Sequence, residues 1–210
     1  MAGHSFFGKQ KLCYTEVSDF TDYQGIGHDP MYKRYDSVFS VVKRVIPINL
    51  QHFLATPEYM DDEDQICWHI EKWQNHPTRL SELSGAEYDR YKGILDDTIK
   101  IYKSSIMDLS GEDLQIMAGA IKYVSEDRVY CTDDKVYLVA WGMTPDVRQH
   151  KVVGSVIHDF EYTKKYKITF DAGEHGTISK LDKTISRAEG AILSKLDIPT
   201  VDVCEGWNFT

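Results

Sequence analysis

The chain has 210 residues, of which 42% are hydrophobic and 27% are charged, the balance of a soluble globular protein rather than a disordered one. The net charge of -9 argues against nucleic acid as the main partner, because affinity for a phosphate backbone comes mainly from Lys and Arg. The 4 cysteines are widely spaced and form no CxxC pair, so they indicate free thiols rather than a disulfide framework.

The first residues lack the basic start and long apolar core of a secretory signal, and no apolar run approaches the ~20 residues of a transmembrane helix. We therefore expect a cytoplasmic protein that does not insert directly into a membrane. The alternative location is the cell surface, in which case an export signal or further repeats would lie outside this sequence.

Residues 1–35 are rich in aromatic side chains but show no regular period, and the turn-forming stretch Gly25–Pro30 interrupts them. We expect an irregular arm that is held on the core or on a partner chain. Its candidates for partner contact are Phe6, Phe7 and Tyr23.

Valines at helical spacing predict a helix from Asp36 to Ile46 that Pro47 ends. The segment contains so many β-branched residues that a strand is the competing interpretation.

A second helix is predicted to begin within Asp61–Asp64, whose carboxylates suit a helix N-terminus. Ile66, Ile70 and Trp73 would then face the core. The ordinary role of Trp68 and Trp73 is core packing, but tryptophan also anchors protein interfaces, so both are candidates for partner contact.

The pattern Ser84–Glu87 is a capping box and predicts a helix through Ile106. Leu109–Asp113 echoes the preceding Leu-Ser-Gly pattern and predicts a further helix through Ile121. We expect the two helices to pack as an antiparallel pair.

The longest run of strand-favouring residues is Val136–Met143. Arg128–Thr132 is a second candidate strand, and Asp133–Asp134 between them forms a tight turn that lacks the favoured Gly. A β-hairpin is therefore expected from about residue 128 to residue 142, packed on helices. Trp141 in this hairpin is the last candidate for partner contact.

These elements predict the α+β class, with a helix-rich N-terminal domain that ends in a β-hairpin and is followed by a small β module. The expected parts are the arm 1–35, an α+β domain 36–162 and a β module 163–210. In the module, apolar residues alternate with polar ones over Tyr166–Phe170, and a turn follows over Asp171–Gly176.

The last part of the chain contains four features in a fixed order. A strand ending in Phe-Asp with a Gly-rich turn lies in Tyr166–Ile178, and a Gly before a small apolar run lies in Ala188–Leu193. An Ile-Pro follows in Ile198–Thr200, and a Gly-aromatic-x-Phe ends the sequence in Glu205–Thr210. This order resembles the internalin-type B-repeat, also called the Listeria-Bacteroides repeat, over residues 165–210. The resemblance implies a small β-grasp-like fold that bacterial surface and multidomain proteins use for spacing, adhesion or protein contact, without catalysis. Trp207 stands where the family usually has Tyr. The Gly-Trp that normally follows the last Phe is missing, so either the repeat is incomplete or the sequence is truncated.

Cys67, His69, Glu71 and His76 lie close together in the sequence and raise the question of a metal site. On the predicted helix, Cys67 and His69 would point to different sides, whereas zinc needs converging ligands. Pairing Cys131 with a histidine as nucleophile and base has no local sequence signature. We therefore predict no catalytic, cofactor-binding or metal-binding residues.

The leading functional hypothesis is a non-enzymatic protein–protein interaction or scaffold component of a bacterial multidomain protein or assembly, with self-association left open. The alternative is a small-molecule-binding protein or enzyme with a cleft beside the 128–143 hairpin, near Trp141, Met143 and His150. A second alternative is a fragment of a surface adhesin.

Overall fold

The computed structural model describes residues 8–23, 25–26, 29–146, 148, 154, 156–159, 165–178, 184–188, 192–193 and 198–206. The chain divides into two compact units, Met1–Phe160 and Glu161–Thr210. Within the described residues, three helices and several small antiparallel sheets confirm the predicted α+β class. No helix in this described part is both long enough and apolar enough to cross a membrane.

The helices are α1 Tyr35–Val45, α2 Gly85–Met107 and α3 Gly111–Ala120. All three lie where the sequence predicts helices. In α1 the buried residues include Val38, Val41 and Val42, so the helical spacing outweighs the strand preference of valine.

The N-termini of α2 and α3 have the same backbone conformation. Ser84 and Ser110 are extended, and the glycine after each has a positive φ, +59° at Gly85 and +60° at Gly111. Neither serine makes a side-chain capping bond, so the expected capping box is wrong. The repeated Leu-Ser-Gly instead encodes a left-handed step that glycine adopts at little cost.

The strands of the first unit are β1 Lys9–Glu16, β2 Phe20–Tyr23, β3 Gly25–Ile26, β4 Asp29–Pro30, β5 Thr56–Met60, β6 Gln65–Glu71, β7 Thr78–Arg79, β8 Tyr123–Ser125, β9 Val129–Thr132, β10 Lys135–Leu138, β11 Met143–Pro145 and β12 Val156–Asp159. They form two three-stranded sheets, ordered β1-β6-β5 and β10-β9-β7, and the pairs β11-β2, β12-β8 and β3-β4. Every one of these pairings is antiparallel.

The prediction of an irregular arm over residues 1–35 is wrong for Lys9–Glu16. Lys9–Glu16 is the strand β1, which pairs with β6 from Lys9 opposite Glu71 to Glu16 opposite Gln65. The partner strand lies about fifty residues away in the chain, so the local sequence pattern carries no sign of the pairing. Residues 1–7 lie outside the described residues.

The predicted helix after Asp61–Asp64 is also wrong. That acidic stretch is the turn of a hairpin between β5 and β6, and Asp64 adopts a φ of +49°. Ile66, Trp68 and Ile70 alternate along β6 and are buried, with 0%, 0% and 2% of their surfaces exposed. The period of two rather than 3.6 decides the element.

The predicted hairpin is confirmed over β9 and β10. Asp133 and Asp134 form its turn with φ of 48° and 57°, the sign that a two-residue hairpin turn needs. The Asp133 carboxylate accepts hydrogen bonds from the backbone N–H groups of Gln74 at 2.7 Å and Asn75 at 3.1 Å, which holds the aspartate in place.

The run Val136–Met143 is not one strand. β10 ends at Leu138, and the backbone then turns through positive φ at Ala140 (49°) and Gly142 (71°). The remainder forms β11, which pairs with β2 instead of continuing along β9.

The core of the first unit includes an aromatic cluster. The rings of Trp68 and Trp141 meet edge to face with centroids 6.0 Å apart, and the Tyr35 ring lies 6.2 Å from Trp141. Each indole N–H is bonded: Trp68 donates to Thr15 Oγ1 at 2.8 Å and Trp141 to the Ala55 carbonyl at 2.7 Å. This cluster connects β1, β6 and the segment after β10.

The second unit contains β13 Lys165–Thr169, β14 Gly176–Ile178, β15 Thr184–Ala188 and β16 Val201–Val203. β13 pairs with β15 and β14 pairs with β16, both antiparallel. The strand predicted from the alternation after Lys165 is therefore confirmed. A Cβ at Gly176 would lie 2.8 Å from the Ala172 carbonyl oxygen, so this position needs glycine. The B-repeat resemblance stays a prediction.

Candidate functional site

A cavity of about 400 Å³ lies beside the β9–β10 hairpin in the first unit. We call it the hairpin cavity, and its lining comes from the 49–53 segment, the end of β6, the middle of α2 and the hairpin. The lining residues are Asn49, Leu50, His52, Phe53, Glu71, Ile94, Thr98, Asp133, Asp134, Lys135, Val136 and Tyr137.

Backbone hydrogen bonds fix the walls of the hairpin cavity. The Leu138 N–H donates to the Phe53 carbonyl at 2.7 Å, and the Ala55 N–H donates to the Leu138 carbonyl at 3.0 Å. From α2, the Tyr102 hydroxyl donates to the Leu50 carbonyl at 3.1 Å. The 49–53 segment is thus bound to both the hairpin and α2, and the cavity is largely pre-formed.

Glu71 is the centre of a set of hydrogen-bonded polar side chains in this cavity. Lys135 Nζ lies 2.6 Å from its Oε2, and the Tyr137 hydroxyl donates to the same oxygen at 3.3 Å. Burial alone would raise the pKa of Glu71, but the hydrogen bonds and charges of Lys135, with His52 and Tyr137, lower it overall. Burial and the neighbouring carboxylate raise the pKa of Tyr137. Glu71 is therefore ionised and Tyr137 is a neutral phenol at neutral pH.

His52 supplies a second polar group. Burial lowers its pKa, although the Glu71 charge acts in the opposite direction. A neutral imidazole offers one donor and one acceptor to a ligand. The centroid of its ring also lies 5.6 Å from that of the Phe39 ring.

Glu58, Cys67 and His69 form a second candidate, which we call the sheet cluster. One ligand atom from each lies within 4.8 Å of the others, and His69 Nε2 is 2.8 Å from Glu58 Oε2. Glu58 lies opposite Cys67 in the β5–β6 register, and Cys67 and His69 are two residues apart on one strand, hence on one face. The helical interpretation placed these two side chains on different sides, and it is wrong. Burial raises the pKa of the Cys67 thiol, and the Glu58 charge adds to the effect.

A smaller cavity of about 160 Å³ is lined in part by Arg128, which is only 4% exposed. The guanidinium lies between the Phe20 and Tyr123 rings, 4.9 and 4.7 Å from their centroids, and Nη1 donates to the Met143 carbonyl at 2.9 Å. Nη2 has no hydrogen-bond partner within the described part of the chain. Burial lowers the pKa of Arg128 to about 10, so it remains charged at neutral pH.

The structure does not bring the six predicted contact residues to one surface. Trp68 and Trp141 lie together in the core with 0% exposure, so a partner cannot reach their side chains in this conformation. Trp73 is half-buried, with its ring 6.4 Å from that of His76. Tyr23 is placed by its backbone opposite Met143. Phe6 and Phe7 lie outside the described residues.

The hairpin cavity is not lined by the three residues that the sequence placed at the predicted cleft, Trp141, Met143 and His150. Trp141 and Met143 are buried, and His150 is outside the described residues. The hairpin cavity is instead lined by residues from the turn and from β10. The sequence carried one signal for both candidate sites: Gln65, Cys67, His69 and Glu71 alternate with apolar residues, which places four polar side chains along one strand face.

Comparison of the chain with protein-family models, with curated proteins and with solved structures gives no match.

Proposed function

We propose that the first unit binds a small molecule in the hairpin cavity. The observation that carries this proposal is the combination of a fixed polar group, Glu71 with Lys135 and Tyr137, and an apolar wall in one pre-formed space. Its volume of about 400 Å³ is in the range of small-molecule sites, which are mostly apolar with a few well-placed polar groups.

The lining indicates the chemistry of the ligand. Leu50, Phe53 and Ile94 supply apolar surface for a compact aromatic or aliphatic body. Asp133 is occupied by backbone N–H groups and Asp134 pairs with Arg90 at 2.9 Å. Within the described residues, both hydrogen bonds of Glu71 reach Oε2, so Glu71 Oε1 is the carboxylate oxygen that a ligand is expected to meet. An amine or hydroxyl donor is therefore favoured over an anionic group, which Glu71 would repel.

Ligand-observed NMR on the full chain tests the proposal with three sets of small aromatic compounds: amines, alcohols and carboxylic acids. We expect binders mainly among amines and alcohols. Ile94→Trp, which fills the cavity, should abolish their binding, whereas Ile48→Trp, on a residue that is 82% exposed and outside the lining, should leave it unchanged. Absence of any binder, or equal binding to Ile94→Trp, would contradict the proposal.

Glu71→Gln separates charge from shape. The variant keeps the size of the side chain but removes the negative charge, so the preference for amines over carboxylic acids should disappear while alcohols still bind. An unchanged amine preference would show that Glu71 does not select the ligand.

Exposed apolar side chains in the second unit support a second proposal, the docking of another protein, in line with the B-repeat resemblance. Ile192 is 92% exposed and Ile198 is 56% exposed, and exposed apolar side chains mark an interface where they form one contiguous patch. Quantitative affinity capture from a bacterial lysate, with the full chain as bait, should lose specific partners in Ile192→Asp/Ile198→Asp but not in Ile48→Asp. Equal recovery with all three baits would contradict docking through this unit.

A further inference from the structure

We propose that the sheet cluster binds one Zn²⁺ ion through Cys67 Sγ, His69 Nε2 and a Glu58 carboxylate oxygen, with one coordination position left open. The inference is independent of the hairpin cavity, because no residue that lines that cavity is a ligand here.

The antiparallel sheet pre-arranges the three ligands. Cys67 and His69 project from the same face of β6, and Glu58 projects beside them from the paired strand β5. Their ligand atoms already lie within 4.8 Å of one another. Zinc bonds of about 2.0–2.3 Å place tetrahedral ligand atoms roughly 3.5 Å apart. Small side-chain rotations that move the ligand atoms by about 1 Å therefore complete the site.

The donor set selects the metal. A thiolate and an imidazole favour Zn²⁺ over Ca²⁺ or Mg²⁺, which prefer oxygen ligands. The charges also balance, because one thiolate and one carboxylate neutralise the divalent ion while the imidazole stays neutral. Binding releases the thiol proton and replaces the present His69–Glu58 contact of 2.8 Å with two metal bonds.

Burial differs among the ligands in a way that leaves one side accessible. Cys67 is 2% exposed and the His69 side chain 12%, whereas the Glu58 side chain is 48% exposed. Three protein ligands with an open fourth position are typical of zinc sites that accept water or a substrate. An ion here would therefore be reachable from solvent on the Glu58 side.

The neighbouring strand β1 contributes a positive charge. Lys11 lies opposite His69, and its ammonium donates to the Tyr14 hydroxyl at 2.9 Å. From there its positive charge acts to lower the pKa of the Cys67 thiol, against the larger effect of burial. This charge opposes a bound cation. Lys11→Met is therefore expected to strengthen Zn²⁺ binding. Lys100→Met, at an exposed position of α2, serves as its charge-matched control.

Titration of the full chain with Co²⁺ alone, followed by displacement with Zn²⁺, provides the test. A thiolate-to-cobalt charge-transfer band should appear at one ion per chain and vanish in Cys67→Ser. Loss of an outer-sphere partner lowers metal affinity about 10- to 100-fold, so loss of the ligand in His69→Gln or Glu58→Ala should cost at least about tenfold. Cys204→Ser, an exposed thiol of the second unit, should behave like the wild type.

Three outcomes would overturn the proposal. These are the absence of stoichiometric binding by the wild type, a charge-transfer band that survives in Cys67→Ser, and an unchanged Zn²⁺ affinity in folded Glu58→Ala. The last variant protects the test against misfolding, because Glu58 is exposed and its replacement leaves the buried face of the sheet intact.

Discussion

Replacement of Trp141 by Phe tests whether the aromatic core of the first unit is built as described. The Trp141 side chain is 0% exposed, and its Nε1–H donates to the Ala55 carbonyl at 2.7 Å. Phe retains a ring beside Trp68 but removes this donor. A buried group that loses its partner costs about 1–3 kcal/mol, and the lost ring volume adds about 1 kcal/mol. We therefore expect the free energy of unfolding to fall by about 3 kcal/mol.

Urea unfolding of the full chain, followed by tryptophan fluorescence, measures this change. Trp207→Phe is included in every variant so that the signal comes from the first unit. With a slope of about 2 kcal/mol per molar urea, the midpoint should fall by roughly 1.5 M. The matched control is Trp73→Phe, on a half-buried tryptophan, which should cost less than about 1 kcal/mol.

A urea midpoint of Trp141→Phe within error of that of the Trp207→Phe background protein would refute this description of the core. So would equal losses for Trp141→Phe and Trp73→Phe. If Trp141→Phe instead reduced capture of a partner without changing stability, the interpretation of Trp141 as a contact residue would regain support.

Three further predictions concern the hairpin turn, the buried arginine and the pH dependence of stability. Asp134→Val should be about 1–2 kcal/mol less stable than Asp134→Gly in urea unfolding, because both lose the carboxylate but only valine resists the φ of 57°. Arg128→Lys should lower the free energy of unfolding by about 2 kcal/mol, since lysine cannot place a planar cation between two rings. The control Arg90→Lys, at an exposed ion pair, should change it by less than about 0.5 kcal/mol. Burial lowers the pKa of His52 below 6.5, so the unfolded chain takes up more protons and stability is lost as the pH falls below that value. His52→Gln should flatten the slope of the unfolding free energy between pH ~6.5 and ~5.

The helices could be predicted from the sequence because their evidence is local. Val38, Val41 and Val42 repeat at helical spacing, and the paired Leu-Ser-Gly patterns begin α2 and α3. The turn of the hairpin could also be predicted, although it lacks the Gly that such turns favour. The Asp133 carboxylate accepts two backbone N–H groups from a distant segment, and these bonds hold the turn in place. They depend on tertiary contact, which a local pattern does not contain.

The error over Gln65–Glu71 had a specific cause. Ile66, Ile70 and Trp73 satisfy a helical period, but Trp68 satisfies only the strand period, and the acidic Asp61–Asp64 has the charge typical of a helix start. Because the element type determines which side chains share a face, this one error hid the sheet cluster. It also hid the position of Glu71 in the hairpin cavity.

Neither site could be assembled from the sequence even with the correct strand. Glu58 reaches His69 only through the β5–β6 register, and Lys135 reaches Glu71 across 64 residues of sequence. Long-range pairing of this kind is set by the packing of the whole unit rather than by neighbouring residues.

The most direct test of the hairpin cavity as a binding site is methyl NMR of the full chain with isoleucine, leucine and valine labels, titrated with an amine from the ligand screen. We predict saturable shifts at Leu50, Ile94 and Val136, which line the cavity, and none at the exposed Ile48. Saturable shifts at Ile48 or Ile192 with Ile94 unchanged would contradict it.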